Sequence, residues 1–496
     1  MDEFLWGVAT SAYQAEGGYN GPGEPQTNWA WAEVAGDVAP LGRSADFWSR
    51  YSEDFARCRE LGLNAFRLGI EWSRVQPRRG EFDFAALDHY AAILRTCQEA
   101  GLEPVVTLHH FVHPAWLGSD AWLERGTAER FVEFVRIAVT HVNERLARPM
   151  HWFITINEPN MLVLNSYLGR QFPARGRAGF KSMMAAYNEL LRAHVLAYNA
   201  LHDLYAARDW PEPRVSFNNY CSDVYWSDQL LLDLVTARER DITREQLPAH
   251  IVERARDFDA AFVAARIPLR KDVAYYVGAL LKRVSNWIGY RTFDAKHFAP
   301  LLDTIYASPR ARLLDYIGLD YYDPFAAHAF RLPVFWDHEF RNRSFRSWML
   351  ATVSSKWWDW RVLPRGLHFF CKHYAETFQR PVLIAENGMA LRRRDAAHSA
   401  RRDRMTRSQF LRLHVHEVDR IRRDGVALIG YLHWSLFDNY EWGTYTPRFG
   451  LYSIDFTRGT ERHAEDPTGD RPAETYAALI REAEAADSPR RHEDTK

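Results

Sequence analysis

Lysine is nearly missing from this chain: of 63 basic residues in 496, only seven are lysine, and arginine supplies the rest. That skew reads as genome composition bias and carries little functional weight. An excess of either charge is missing too. The formal net charge is −1, so the overall balance gives no reason to expect nucleic acid or an anionic membrane as a partner. Cysteine is scarce. Cys58, Cys97, Cys221 and Cys371 lie far apart with no C-x-x-C pair, which argues against a disulfide scaffold and for reduced, structural thiols. No run of about 20 uncharged apolar residues occurs, so no membrane-spanning helix is expected. The opening residues, Met1 to Gly7, have neither a basic n-region nor a long apolar core. They read as a strand and not as a signal peptide, and the chain reads as cytoplasmic. A Gly-rich phosphate loop is also lacking: Ala9-Thr10-Ser11-Ala12-Tyr13-Gln14 follows the first β-rich run where an open nucleotide-binding sheet would need one.

What is present is aromatic. Aromatic residues make up 14% of the chain, with 18 tryptophans, in a hydrophobic content of 47%. Indole rings stack on the C–H faces of sugars, so this composition fits a carbohydrate enzyme; a large aromatic core is the alternative source of the same count. Eight short β-rich runs alternate with longer helical patterns. The runs are Phe4–Ala12, Ala65–Trp72, Pro104–His110, His151–Asn157, Val215–Asn219, Tyr316–Tyr322, Val382–Glu386 and Ile429–Ser435. Helical patterns cover Ala45–Leu61, Phe84–Ala100, Ala128–Ala147, Phe180–Ala207, Leu363–Phe378, Arg402–Asp424 and Ala473–Ala485. Strand–helix alternation implies parallel pairing, and eight repeats imply closure into one (β/α)8 barrel with its active site at the carboxyl ends of the strands. An open doubly wound sheet is the competing topology. The barrel domain is expected over residues 1–486, with a polar, disordered tail over 487–496.

Two long insertions interrupt the pattern. Tyr225–Asp315 contains the amphipathic stretch Ile267–Gly289, and Asp323–Arg361 carries Phe335, Trp336, Trp348, Trp357, Trp358 and Trp360. Insertions after barrel strands shape the entrance to the site. They would line that entrance with aromatic and apolar side chains, or else they only pack the insertions onto the barrel.

Two glutamates carry the chemistry. Glu158 follows Thr155-Ile156-Asn157, and Glu386 follows Leu383-Ile384-Ala385, each at the end of a short β-rich run. Two carboxylates converging on one pocket are the minimal apparatus for cleaving a glycosidic bond. The motifs around them recur in order: Phe4-Leu5-Trp6-Gly7 through Gln14, Phe66-Arg67 leading into Glu71-Trp72-Ser73-Arg74, and Thr107-Leu108-His109-His110. Asn157-Glu158-Pro159, Gly318-Leu319-Asp320-Tyr321-Tyr322, Glu386-Asn387-Gly388 and Trp434 through Trp442 complete the series. On these motifs, from about Phe4 to Phe456, the chain resembles family 1 glycoside hydrolases of the β-glucosidase type.

The resemblance implies a retaining mechanism with Glu158 as acid/base and Glu386 as nucleophile. It implies that Arg67 lies beside the nucleophile and that Tyr322 donates a hydrogen bond to it. Gln14, His110, Asn157 and Glu441 match the family's glycone ligands, Asn157 toward the 2-hydroxyl and Gln14 with Glu441 toward the O4 side. Trp434 matches the platform under the sugar ring, and Trp442 a further indole contact. An anionic Glu441 would repel a 6-phosphate, which favours a neutral glycone. The implied partner is a small-molecule β-glycoside, glucosyl first and galactosyl or fucosyl next, with an oligosaccharide aglycone or an apolar one such as a lipid, sterol or phenolic that the aromatic insertions would receive, and two carboxylates need no cofactor. A transglycosidase on the same site and a non-catalytic sugar-binding relative are the alternatives. The run His109-His110-Phe111-Val112-His113 lacks the His-Glu-x-x-His arrangement of a zinc helix, and adjacent strand residues point oppositely, so no metal is expected. Three positions depart from the family pattern: Asp320 for asparagine, Ala385 for threonine and Phe111 for tryptophan. Asp320 matters most, because a third acid couples to the titration of the pair.

Overall fold

A computed structural model describes residues 3–169, 176–322, 324–325, 360–394, 397–399, 401 and 403–487. Eight parallel strands close a barrel: β1 (Leu5–Ala9), β2 (Ala65–Gly69), β3 (Glu103–Thr107), β4 (Trp152–Asn157), β5 (Arg214–Tyr220), β6 (Ile317–Tyr321), β7 (Val382–Asn387) and β8 (Leu428–Trp434). β1 pairs with both β2 and β8, which closes the ring. Gly7 allows one of these seams: a Cβ there would lie 2.5 Å from the Ala65 carbonyl oxygen.

Each strand divides its side chains between two layers. Leu5, Ala65, Val105, Ile154, Leu383 and Leu432 fill the barrel interior, while Phe66, Val106, Phe153, Ile384 and Tyr431 pack against the helices. The longer helices are α1 (Phe47–Glu60), α2 (Phe84–Glu99), α3 (Thr127–Asn143), α4 (Phe180–Ala207), α5 (Leu247–Ala264), α6 (Val273–Thr292), α7 (Pro364–Phe378), α8 (Arg407–Arg423) and α9 (Pro472–Asp487). Among the described residues no helix is long and apolar enough to cross a membrane.

Several boundaries differ from the sequence reading, each for a local reason. The first β-rich run stops at Ala9, and Ala12–Glu16 turns helical, so Gln14 sits on a helical turn. The second stops at Gly69, because the Glu71 side chain accepts from the Ser73 amide at 3.1 Å and starts a turn at Trp72. Thr406 and Gln409 form a capping box, so α8 begins at Arg407 and not at Arg402. α3 ends at Asn143, short of Ala147, and the Asn143 side chain accepts from the Met150 amide at 3.0 Å as the chain turns toward β4. The amphipathic stretch begins at Val273, not Ile267, where the Asp272 side chain caps the Tyr275 amide at 3.1 Å. Phe335, Trp336, Trp348, Trp357 and Trp358 lie outside the described residues, as does the tail after Asp487.

Candidate active site

The residues singled out in the sequence converge at the carboxyl end of the barrel, and two irregularities in the strands bring them there. β4 advances three residues, Ile154 to Asn157, while β5 advances two, Ser216 to Asn218. Thr155 and Ile156 therefore both face the helices, Thr155 Oγ1 lying 2.7 Å from His194 Nδ1 of α4, and Asn157 turns inward. β7 does the same against β6: Leu319 pairs with Ile384, and Asp320 with Glu386. Ala385 faces the interior, and the extra residue turns Glu386 inward behind it. Such bulges re-aim side chains beside active sites. Glu158 follows β4 in a left-handed conformation, φ 38°, held by its amide on the Asn218 carbonyl at 2.9 Å, and Pro159 opens the next helical turn.

Arg67, fully buried on β2, organises the centre. Its Nη1 donates to Glu386 Oε1 at 2.7 Å and to the Ala385 carbonyl at 3.1 Å. Its Nη2 donates to Asn157 Oδ1 at 2.5 Å, and its Nε to Thr107 Oγ1 at 2.9 Å. Tyr322 OH donates to the other oxygen of Glu386 at 2.7 Å. Both carboxylate oxygens of Glu386 are thus held, whereas among the described residues Glu158 Oε1 is buried without a hydrogen-bond donor, and the Glu158 carboxyl is hydrogen-bonded to that of Asp320.

Three buried carboxylates meet here. Glu158, Asp320 and Glu386 each offer an oxygen within 4.8 Å of the others. Burial raises all three carboxyls. For Glu158 and Asp320 the negative charge of Glu386 raises them further. Glu386 is pulled back by Arg67 and the Tyr322 hydroxyl, so it rises least and ionises first. A cation could be held by these oxygens, but Arg67 already supplies a positive charge, 2.7 Å from Glu386 and 4.0 Å from Asp320.

The remaining candidates line one wall. Trp434 Nε1 donates to Glu441 Oε1 at 3.1 Å, and Gln14 Nε2 donates to Glu441 Oε2 at 3.0 Å. Burial pushes Glu441 up to about 8. His110 stacks against Trp434 at 5.8 Å and against Trp442 at 5.7 Å, and its Nε2 lies 3.2 Å from Asn157 Nδ2. Burial and the nearby Arg67 hold His110 neutral, well below the usual imidazole range. His109 points the other way, edge-on to Trp122 at 4.9 Å in the helix layer, as strand alternation requires.

The sequence reading named no role for Thr107, Asn218 or Asn439. Thr107 and Asn439 lie inside quoted motifs. Asn218 has no motif around it, yet its Nδ2 donates to Asn157 Oδ1 at 2.8 Å and also to Asp320.

A closed (β/α)8 barrel with paired carboxylates at its carboxyl end has the architecture of a glycoside hydrolase. The family model for glycosyl hydrolase family 1 matches residues 1–254 and 299–481, and the chain belongs to that family. It is 27% identical over 482 residues to 6-phospho-beta-galactosidase 1 of Streptococcus pneumoniae, covering 92% of this chain and 93% of that one. It is equally 27% identical over 468 residues to 1,4-beta-D-glucan glucohydrolase of Thermotoga neapolitana, covering 91% and 97%. The beta-glucosidase from Thermotoga maritima in complex with castanospermine superposes with a TM-score of 0.68 at 22% identity, covering 97% and 98% of the two chains.

Proposed function

We propose that this member of the family is a retaining exo-β-glycosidase acting on neutral β-D-glycosides, glucosides first. The asymmetry between the two glutamates carries the reading. Glu386 is held by Arg67 and Tyr322, which stabilise its carboxylate and aim it as the nucleophile. Glu158 is buried, makes no ion pair among the described residues and has a raised pKa, which suits a group that keeps its proton until the leaving oxygen takes it. An oxygen separation within 4.8 Å favours double displacement. Retaining carboxyls sit about 5–5.5 Å apart, while inverting pairs need about 6.5–9.5 Å to admit water.

In the first step Glu386 attacks the anomeric carbon as Glu158 protonates the departing oxygen. In the second, Glu158 takes a proton from water, which displaces Glu386 and restores both groups. Asn157, bridged to Arg67, is the amide available to the 2-hydroxyl, where hydrogen bonding strengthens as the oxocarbenium character develops.

The similarity to a 6-phospho-β-galactosidase raises a phosphorylated glycone as a second reading. Glu441 argues against it: its partners are Gln14 and Trp434, and among the described residues no arginine or lysine hydrogen-bonds or ion-pairs with it. Its raised pKa weakens simple charge repulsion, so the stronger objection is that none of the described arginines or lysines bonds or pairs with Glu441, the side chain set against the phosphate. The four cysteines are buried and free, which suits a reducing, cytoplasmic setting.

The test is Glu386→Gly. The variant should lose hydrolysis of an aryl β-glucoside and regain turnover with azide or formate, giving an α-glycosyl product. Wild-type rates without the added nucleophile would remove the assignment.

A further inference from the structure

One helix of this protein is built inside out. On α6 the side chains turned toward the body are polar. Lys282 Nζ lies 3.4 Å from Asp259 of α5, and Asn286 Nδ2 and Tyr290 OH each donate to Asp259 at 2.5 Å. The outward face is apolar: Tyr276, Leu280, Leu281, Val284, Trp287 and Ile288 are 45–62% exposed. At about 100° per residue these six fall in one stripe roughly 140° wide. A surface helix of a water-soluble domain shows the reverse pattern, with its apolar stripe against the core. Gly289 fits this packing, since a Cβ there would lie 2.1 Å from the Trp226 ring.

Charge accompanies the stripe. Residues 266–296 hold seven basic and two acidic side chains, net +5, in a chain whose total is −1. Three of the seven lysines of the whole chain are here, at 271, 282 and 296. Arg266, Arg270, Lys271, Arg283, Arg291 and Lys296 are exposed around the helix, and the Arg291 guanidinium sits 4.8 Å from the Trp287 ring centre. All of α6 lies in the stretch between residues 254 and 299 that the family model does not match.

We infer that α6 is an interfacial anchor that docks the enzyme on an anionic lipid bilayer. An exposed apolar stripe with tryptophan, flanked by arginine and lysine, is the pattern of a helix lying in the membrane plane with its apolar face about 5–10 Å into the headgroup boundary. Lipid acidity complements the local charge, since basic side chains held near the headgroups add to the attraction. A second copy of this chain would have to meet the stripe with the same cationic surface.

The helix also stands next to the pocket. Trp226, just past β5, donates to Asn286 Oδ1 at 3.2 Å. Arg361 pairs with Asp272 at the start of α6, and its neighbour Trp360 packs 5.7 Å from the ring of Tyr322, which bonds Glu386. Docking through α6 brings the mouth of the site to the bilayer, where a glycoside with a lipid-embedded aglycone is held. That consequence rests on the glycosidase reading; the docking does not.

The experiment is cosedimentation of the full chain with phosphatidylcholine vesicles, with and without phosphatidylglycerol. Binding is expected only with phosphatidylglycerol, weakening as salt rises. Leu280→Ser, Leu281→Ser and Trp287→Ser combined should lower binding about tenfold or more, while hydrolysis of a soluble aryl β-glucoside is unchanged. No binding of the wild-type chain to anionic vesicles overturns the inference, and so does wild-type binding by the triple variant. A dimer in light scattering that the same substitutions dissolve, without vesicle binding, gives the stripe to a second copy. If the triple variant does not fold, Leu281→Cys carrying a polarity-sensitive fluorophore replaces it, since the native thiols are buried. A blue shift on adding anionic vesicles supports docking, and an unchanged spectrum overturns it.

Discussion

Asp320 and Glu158 face each other across the floor of the site, both buried, with carboxylate oxygens within 4.8 Å. Asp320 is also bound by Asn218, lies 4.0 Å from Arg67, and stands next to Glu386 on the neighbouring strand. Burial first, and then the charges of Glu386 and Glu158, raise Asp320 well above the usual carboxylate range. Asp320 and Glu158 therefore titrate as a pair, in two steps that belong to both groups.

Asp320→Asn separates the pair. In the wild-type enzyme the alkaline limb of kcat/KM should span two proton losses, because a proton leaving one carboxyl is drawn partly from the other. With asparagine a single proton remains on Glu158, so the limb should become one step. The check is the pH profile of an unactivated alkyl β-glucoside, whose departure needs the acid. Superimposable profiles would disprove the coupling. Stability should follow. A carboxyl raised in the folded state costs nothing below the unfolded value of about 3.9 and costs progressively more as pH rises toward its folded value. The melting-temperature advantage of Asp320→Asn should therefore be absent near pH 3 and grow toward neutral and alkaline pH.

Glu158→Ala should discriminate between leaving groups. A positioned general acid contributes about 10²–10⁴-fold, and only where the departing oxygen needs a proton. Alkyl glucoside turnover should fall by that order, while cleavage of a dinitrophenyl glucoside to the glycosyl-enzyme should change little. Azide should then speed the second step and release a β-glycosyl azide. Equal losses on both substrates would assign the proton transfer elsewhere.

Glu441→Ser tests the glycone. Leaving a buried hydroxyl of the sugar without its partner costs about 1–3 kcal/mol, so kcat/KM for an aryl β-glucoside should fall about 5- to 150-fold. The same variant should gain no activity on a 6-phosphoglycoside, because removing Glu441 supplies no cation. Kinetics on both substrates decide the matter, and a large gain on the phosphorylated one would remove the neutral-glycone reading.

Much of this site was legible in the sequence, and the exceptions have physical causes. Arg67 and Tyr322 fall on Glu386 as the family resemblance implied, and Gln14, Trp434 and Glu441 form one bonded wall. Strict alternation would have sent Asn157 and Glu386 to the helix side. Each is brought inward by an extra residue in its strand, and that register depends on the partner strand. Asn218 was missed because its role arises from the two residues it bridges, not from its neighbours in sequence. Net charge is silent on local patches: a total of −1 averages over the cationic stretch around α6.

Far from the site, Arg462 and Asp54 form a two-pronged ion pair, Nε to Oδ1 at 2.9 Å and Nη2 to Oδ2 at 2.6 Å, with both side chains fully buried. The pair ties the C-terminal segment to α1, and the Arg462 guanidinium lies 4.7 Å from the Phe437 ring centre. Arg462→Met would leave the Asp54 carboxylate buried, with the partly exposed Arg57 3.1 Å away and Arg50 acting on it more weakly. Breaking a buried pair in this way costs about 3–5 kcal/mol. Burial already raises Asp54 despite Arg462, so without that arginine it should take up a proton more readily. The loss should thus be small near pH 3, below the unfolded value of about 3.9, where the carboxyl is largely neutral in both states, and grow toward neutral pH. Adding Asp54→Leu removes the uncompensated charge, so the double variant should recover much of the stability at neutral pH. Denaturant unfolding of both variants at two pH values tests this, and a loss independent of pH would mean that Arg462 acts through packing on Phe437 instead of through its charge.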